Sequence, residues 1–321
     1  MIFGRKSLKI GVILPLMIAI IGAGRVGSGA ALRIVEREID EVVLVDIVEG
    51  RPMGEALDIM EASRGLMYDT RVTGSTDYAS VKGADLVVIT AGVARKPGMS
   101  RLDLMNTNAR IIEDITKNVI KNAPDAKLMV VTNPVDVMTH VALEASGKER
   151  TEVFGMGSML DKIRFEYFLS EKLNISVRDV NALVVGEHGD SMVPLPRYSS
   201  AGGIPVEELL DKKDIDDVVE RTRRGGAEVI SLKGATFFAP SAALANMVEA
   251  FVRDQRRVLP ASVCLRGEYG VDAVCIGAPS IIGKNGVERI IELDFNNDEM
   301  EKFHRSAAVI KDAIERGVVK H

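Results

Sequence analysis

The stretch between residues 17 and 46 constrains the fold more than any other. Met17 to Ile21 is an unbroken apolar run, the pattern of a strand buried on both faces of a parallel sheet. It leads into Gly22-Ala23-Gly24-Arg25-Val26-Gly27 and then a helical pattern, with Ala30, Ala31, Ile34 and Val35 on one face, to about Glu38. A second run, Val42 to Val45, ends at Asp46, nineteen residues past the last glycine. A glycine-rich turn alone says little, because such turns are common. Strand, glycine turn, helix, strand and acid at this spacing form a much narrower pattern, that of a dinucleotide-binding unit. Gly22 permits the tight turn, Gly24 lets backbone approach a pyrophosphate, and Gly27 allows close helix–strand packing. The helix N-terminus at Arg25 and Val26 favours the phosphate charge. Asp46 would accept hydrogen bonds from the adenine ribose and repel a 2′-phosphate, which favours NAD. Arg51, close by in sequence, leaves NADP open as the weaker alternative.

The alternation continues. Strands are predicted at Val72–Gly74, Ala84–Ile89 and Leu128–Val131. Helices are predicted at Pro52–Leu66, Leu102–Asn122 and from Pro134 to about Ala145. This predicts an α/β fold, a doubly wound parallel (Rossmann) sheet over residues 17–159. Ligands bind beyond the carboxyl ends of such strands, so Thr90-Ala91-Gly92 and Thr132-Asn133-Pro134 should face the cofactor. Between them, Val93 to Arg101 is basic and broken by Pro97-Gly98. It is either a solvated loop or a lid that carries Arg95 and Arg101 onto an anionic substrate.

Near Gly155 to Met159 the pattern changes, and residues 160–321 read as an α+β substrate domain with no linker before it. A helix from Leu160 to Leu173 carries Asp161 and Arg164 three apart, on one face. Val180 to Val185 reads as one buried strand running into Gly186-Glu187-His188-Gly189-Asp190. The chain has only four histidines, and one stands here between glycines and carboxylates. A histidine can take or give a proton near neutral pH, and a strand exit can hold it rigidly; the bland alternative is a surface turn. Helices follow at Lys212–Leu232 and Ser241–Val258, strands at Ser262–Leu265 and Val271–Ile276, a hairpin turn at Asn285-Gly286 and a last helix at Asp298–Arg316.

Composition narrows the class. At 321 residues, 46% apolar and 27% charged, the chain can build two domains with a good core. A net charge of −5 argues against a nucleic-acid or anionic-membrane partner. Cys264 and Cys275 form neither a metal-ligand cluster nor a disulfide framework, and read as two buried thiols in a reducing cytoplasm. Arg5, Lys6 and Lys9 before an apolar run superficially resemble a signal peptide. That run is too short to span a bilayer, and its second half is the first strand of the fold. Residues 1–16 are therefore expected to be an extension, with Met17 as an alternative start.

The ordered set GAGRVG, VVLVD, TAGVARKPGMSR, VTNPVD, Asp161-x-x-Arg164, GEHGDS and KGAT resembles the lactate/malate dehydrogenase family, within it the malate dehydrogenases of lactate dehydrogenase-like type. The resemblance covers nearly everything from Met17 to the last helix; the extension departs from it. It implies that His188 is the general base for the hydroxyl proton and Asp161 its partner. It implies that Arg164 grips the carboxylate next to the reacting carbon and that Arg101 polarises the carbonyl. Arg95 stands where malate enzymes carry arginine and lactate enzymes glutamine. Asn133 is implied to contact substrate and cofactor, and Thr236 to lie near the substrate. Gly22, Gly24, Gly27, Asp46, Thr90, Ala91, Gly92, Asn108 and Val131 match the cofactor-binding set. The resemblance also implies a homodimer or homotetramer joined through the methionine-bearing helix Pro52–Leu66.

The chemistry agrees. Oxidising a secondary alcohol needs a proton acceptor, a hydride acceptor and charge to hold the acid, and arginine's planar fork suits carboxylates. The expectation is an NAD-dependent enzyme acting on a small dicarboxylate, malate or oxaloacetate, with a lactate or other 2-hydroxy-acid dehydrogenase as the alternative. An NAD-dependent glycosidase would need metal ligands in place of Asp161, Arg164 and His188, and a catalytically dead sensor would lack the histidine or the arginines.

Overall fold

The computed structural model describes residues 16–93 and 100–317. Six parallel strands come first: β1 (Met17–Ile21), β2 (Glu41–Val45), β3 (Val72–Ser75), β4 (Leu86–Ile89), β5 (Lys127–Val130) and β6 (Val153–Gly155). They lie in the order 3-2-1-4-5-6, linked by α1 (Arg25–Glu36), α2 (Arg51–Leu66), α3 (Arg101–Asn122) and α4 (Val135–Ser146), with a short 3-10 turn, Tyr78–Val81, between β3 and β4. The central strands β1 and β4 are buried on both faces, with Ile18, Ile20, Leu86 and Ile89 all fully enclosed. That burial is the reason their sequences run apolar without alternation. α1 is amphipathic, and its buried Ala30, Ala31, Ile34 and Val35 lie against the core.

The second half begins with α5 (Met159–Leu173). Then come the short strands β7 (Val180–Asn181), β8 (Val184–Val185), β9 (Val193–Pro194), β10 (Ser200–Ala201) and β11 (Ile204–Pro205), the single turn α6 (Val206–Leu209), and the helices α7 (Lys212–Lys233) and α8 (Phe238–Val252). Last are β12 (Arg257–Arg266), β13 (Asp272–Gly283), β14 (Gly286–Ile290) and α9 (Asn297–Gly317). β12 pairs antiparallel with β6, and β13 and β14 follow antiparallel, so the second half extends the same sheet to nine strands. No helix among the described residues is long and apolar enough to cross a membrane.

Three expectations need correction. The run Val180–Val185 is two strands, not one: Val180 and Asn181 pair with β10, whereas Val184 and Val185 pair with β9. Between them the Ala182 amide donates to Glu166 Oε1 (3.2 Å) and the Leu183 amide to Ser199 Oγ (3.4 Å), so side chains replace the ladder where the chain changes sheets. The helix expected to reach Val258 ends at Val252, because Asp254 and Arg256 take left-handed φ of 47° and 52° and Val258 belongs to β12. The last hairpin turns at Lys284-Asn285, with Gly283 paired to Gly286, one residue earlier than expected. Residues 1–15 of the expected extension lie outside the described residues; Leu16 is half-buried, and its amide donates to Asp40 Oδ2 at 2.9 Å.

Candidate active site

The glycine turn joins β1 to α1, and each glycine has a separate reason to be there. Gly22 has φ 111°, and a Cβ there would sit 2.7 Å from the Ala91 amide nitrogen and the Thr90 hydroxyl. A Cβ at Gly27 would sit 2.0 Å from the Gly22 carbonyl oxygen, so helix and turn touch only because it has none. Gly24 has ordinary φ, and a Cβ there would meet nothing within 4 Å. Neither strain nor internal packing demands glycine at that point, and the space beside it suits a phosphate at the N-terminus of α1. Asp46, at the end of β2, accepts from the Ala23 amide (2.8 Å) and the Val48 amide (3.0 Å), so the acid braces the turn. Its oxygens keep further lone pairs for ribose hydroxyls. Arg51 Nη1 stands 3.8 Å from Asp46 Oδ2 and is half exposed, in reach of the same place.

Thr90, Ala91 and Gly92 follow β4 and cross the turn, the Thr90 hydroxyl donating to the Gly22 carbonyl at 2.9 Å. A Cβ at Gly92 would press the Thr132 methyl at 2.5 Å. Val131 continues β5, its amide donating to the Ile89 carbonyl. Asn108 lies inside, beneath the two loops. It is 2% exposed, with Oδ1 accepting from the Val93 amide and Nδ2 donating to the Val93 and Asn133 carbonyls. It ties two loops together. The Asn133 side chain is exposed beyond β5, ahead of a cis bond to Pro134. Arg25 is exposed, Val26 half-buried.

The second cluster forms where β8 ends. Gly186 and Gly277 of β13 exchange backbone hydrogen bonds at 2.9 and 3.1 Å, which fixes the turn carrying His188. The first turn of α5 brings in Asp161, whose Oδ2 lies 2.6 Å from His188 Nδ1. Its other oxygen, Oδ1, lies 3.4 Å from Arg164 Nη1. One carboxylate therefore holds both groups, and the Asp161 contact leaves His188 Nε2 as the free nitrogen. Burial pushes the imidazole down, but the charge and hydrogen bond of Asp161, with Asp136 behind, outweigh it and hold His188 above its ordinary 6.5; Arg164 opposes them. Burial lowers Arg164 against the pull of Asp161. It remains a cation, as arginine does in proteins.

Sequence reasoning passed over three supports. Asp136, in the first turn of α4, is fully enclosed; its Oδ2 accepts from the His188 amide (2.8 Å) and its Oδ1 from the Ser262 hydroxyl (2.6 Å). Burial raises its carboxyl to about 6 against those two hydrogen bonds. An acid three residues after Asn133 in an apolar helix was the available signal. Gly225 and Gly226 are the second: a Cβ at Gly226 would lie 3.3 Å from both Arg164 terminal nitrogens. Adjacent glycines inside the long helix α7 were visible but unexplained. Ser306 on α9 is the third: its hydroxyl would lie 2.8 Å from a Cβ at Gly186, and it accepts from the Glu187 amide at 2.7 Å.

Thr236 lies half-buried in the connection between α7 and α8. Its neighbour Phe237 faces the Arg25 guanidinium at 5.4 Å, so this connection lies across from the glycine turn. Arg95 and the Arg101 side chain lie outside the described residues. A cleft of about 970 Å³ opens at the amino ends of the strands among Lys82, Asn122, Asp125 and Lys284, away from all these groups. Position in the sheet and chemistry outweigh size here: the carboxyl ends carry the His188–Asp161 pair and the glycine turn.

The fold and the two clusters define a dehydrogenase of the dinucleotide-binding α/β class. The family model described as lactate/malate dehydrogenase, NAD binding domain, matches residues 16–155, and the model for the alpha/beta C-terminal domain of that family matches residues 158–321. The chain belongs to the lactate/malate dehydrogenase family, and its N-terminal part is an NAD-binding domain. It is 50% identical over 301 residues to a malate dehydrogenase of Methanosarcina mazei, covering 93% of this chain and 98% of the relative. Its structure is similar to the malate dehydrogenase of Salinibacter ruber, with a TM-score of 0.90 at 43% identity over 94% of this chain and 97% of the other. It is also similar to a minor L-lactate dehydrogenase of Enterococcus mundtii, with a TM-score of 0.91 at 33% identity over 94% and 98%.

Proposed function

We propose that the chain is an NAD-dependent malate dehydrogenase that interconverts malate and oxaloacetate. The observation that carries the chemistry is the shared Asp161 carboxylate, with His188 at 2.6 Å and Arg164 at 3.4 Å. When bound, NAD supplies the hydride acceptor, and Gly22, Gly24, Arg25, Val26, Gly27, Asp46, Thr90, Ala91, Gly92, Asn108, Val131 and Asn133 would hold it. His188 takes the malate hydroxyl proton at Nε2 and returns it when oxaloacetate is reduced. Asp161 keeps the imidazole in that tautomer and stabilises its charged form. Arg164 binds the carboxylate next to the reacting carbon, and Asn133, Arg101 and Thr236 complete the substrate side. Residues 17–159 would carry the cofactor and residues 160–321 most of the substrate site.

A lactate or other 2-hydroxy-acid dehydrogenase is the second reading, since His188, Asp161 and Arg164 serve either acid and the lactate enzyme shares the fold. Curated relatives at 47–50% identity over more than nine-tenths of this chain are malate dehydrogenases, and Arg95 adds a cation for a distal carboxylate. The same proposal includes a homodimer or homotetramer working in the cytoplasm. Exposed Ile47, Leu57 and Met67 around α2 support the assembly. The purified chain should oxidise NADH when oxaloacetate is added. His188→Asn should lower turnover about 100-fold or more with NADH affinity unchanged. Near wild-type turnover in that variant contradicts the proton-transfer assignment.

A further inference from the structure

Cys264 on β12 and Cys275 on β13 are direct cross-strand partners in the long antiparallel hairpin, and both are free thiols. Directly opposed residues in such a pair hold their Cα atoms about 4.5–5.5 Å apart. A disulfide spans roughly 4.4–6.8 Å between Cα atoms, so these strands need not move to be bridged. Neither thiol takes part in the chemistry described above.

The two sulfurs have different surroundings. Cys275 is fully enclosed, whereas Cys264 lies at the floor of a surface cleft of about 400 Å³. The groups facing that cleft are His140 from α4, Lys148 just beyond it and Arg266 from β12, with Glu144 and Asp272 opposing them. The Cys275 thiol, hydrogen-bonded to Cys264, holds the Cys264 thiol below the ordinary range against the upward push of burial, and His140 and Arg266 add to the effect. The same hydrogen bond and complete burial push Cys275 up. A thiolate reached from a cleft with cations around it is the more reactive sulfur.

We propose that Cys264 and Cys275 form a two-thiol redox site, in which Cys264 reacts with a hydroperoxide entering the cleft and Cys275 closes an intrachain disulfide. The Cys264 sulfur attacks one peroxide oxygen and the O–O bond breaks. With hydrogen peroxide, the departing hydroxide takes up the thiol proton as water, and Cys264 becomes a sulfenic acid. The Cys275 sulfur then displaces the sulfenic hydroxyl. The S–S bond forms, and that hydroxyl leaves with the Cys275 proton as a second water. Two thiols are oxidised by two electrons and one peroxide is reduced to two waters.

The test is graded hydrogen peroxide added to the purified full chain with NADH bound, read by intact mass and non-reducing peptide mapping. The expected result is loss of two hydrogen atoms, a peptide cross-linked between Cys264 and Cys275, and reversal by dithiothreitol. Cys275→Ser should stop at a Cys264 sulfenic acid that a cyclic diketone probe traps, and Cys264→Ser should leave Cys275 a thiol. Native alkylation of the wild type with iodoacetamide, which needs no variant, should label Cys264 before Cys275. Thiols that stay reduced at excess peroxide, a cross-link between chains, or Cys275 labelled first or equally would overturn the proposal.

Discussion

At His188 two opposing influences meet. Burial favours the neutral ring and Asp161 favours the charged one, and the carboxylate prevails. On the proposed mechanism, reduction of oxaloacetate would use the charged ring, so its rate should fall as pH rises through the His188 pKa. Because that pKa is held above 6.5, reduction should persist past the range of an ordinary histidine. Asp161→Asn leaves burial in control, and the descending limb of the reductive pH–rate profile should move to lower pH. An unmoved limb would show that the limb does not belong to this pair. At Asp136 burial prevails instead. Its carboxyl rises from 3.8 to about 6 on folding, so the folded state binds more protons in that window. Stability should therefore fall as pH rises between about 4 and 6 and level off above, where the folded carboxyl has lost its proton. Asp136→Asn should lack that falling segment, as thermal unfolding across the window will show. The same slope in both proteins would assign it to another group.

At the scale of elements, α7 is shaped by a side chain it does not own. Gly225 and Gly226 weaken the helix, since glycine costs about 1 kcal/mol against alanine in a helix interior. They leave room for Arg164 from α5, which a Cβ at Gly226 would crowd at 3.3 Å. Gly226→Ala should hold or raise Tm while raising the KM for the keto acid several-fold, with NADH affinity unchanged. A lower Tm with unchanged KM would mean that the glycine serves packing alone. This pair also shows what was legible beforehand. The glycine turn and Asp46 were readable because every signal lies within one βαβ unit, at fixed local spacing. The Asp161–Arg164 face followed from helical period. The contact of Asp161 with His188 joins residues 27 apart and entered only through family resemblance. Asp136 was hidden because its partners, the His188 amide and Ser262, lie 52 and 126 residues away. The split at Ala182-Leu183 was unreadable for a related reason: the apolar run is continuous, and only the change of partner strand divides it.

At the scale of the whole molecule, β12, β13 and β14 continue the parallel sheet, so the NAD-binding domain and the C-terminal domain share one backbone framework. α8 fastens them again, its Ser241 hydroxyl donating to the Val26 carbonyl of α1 at 3.3 Å. Outside that framework, α2 and its flanks expose Ile47 (85%), Leu57 (61%) and Met67 (73%), a large apolar face for an isolated chain. Light scattering at micromolar concentration should give a multiple of 34.8 kDa, and Leu57→Lys should shift it toward the single chain. A monomer in the wild type would contradict the assembly. Substrate choice is the central claim, and it concentrates on Arg95. Arg164 would hold the near carboxylate and Arg101 the reacting oxygen, and both are common to oxaloacetate and pyruvate. Arg95 would be left as the partner of the distal carboxylate. With pyruvate, closure would bury that cation against a methyl, and an unpaired buried charge costs roughly 2–5 kcal/mol. At about 1.4 kcal/mol per tenfold, that is roughly 30- to several-thousand-fold in kcat/KM. The decisive measurement is kcat/KM for oxaloacetate and for pyruvate, with NADH, in the wild type and in Arg95→Gln. The account predicts a strong wild-type preference for oxaloacetate that the substitution collapses, with pyruvate activity rising; a wild type that prefers pyruvate, or a ratio the substitution leaves unmoved, contradicts it.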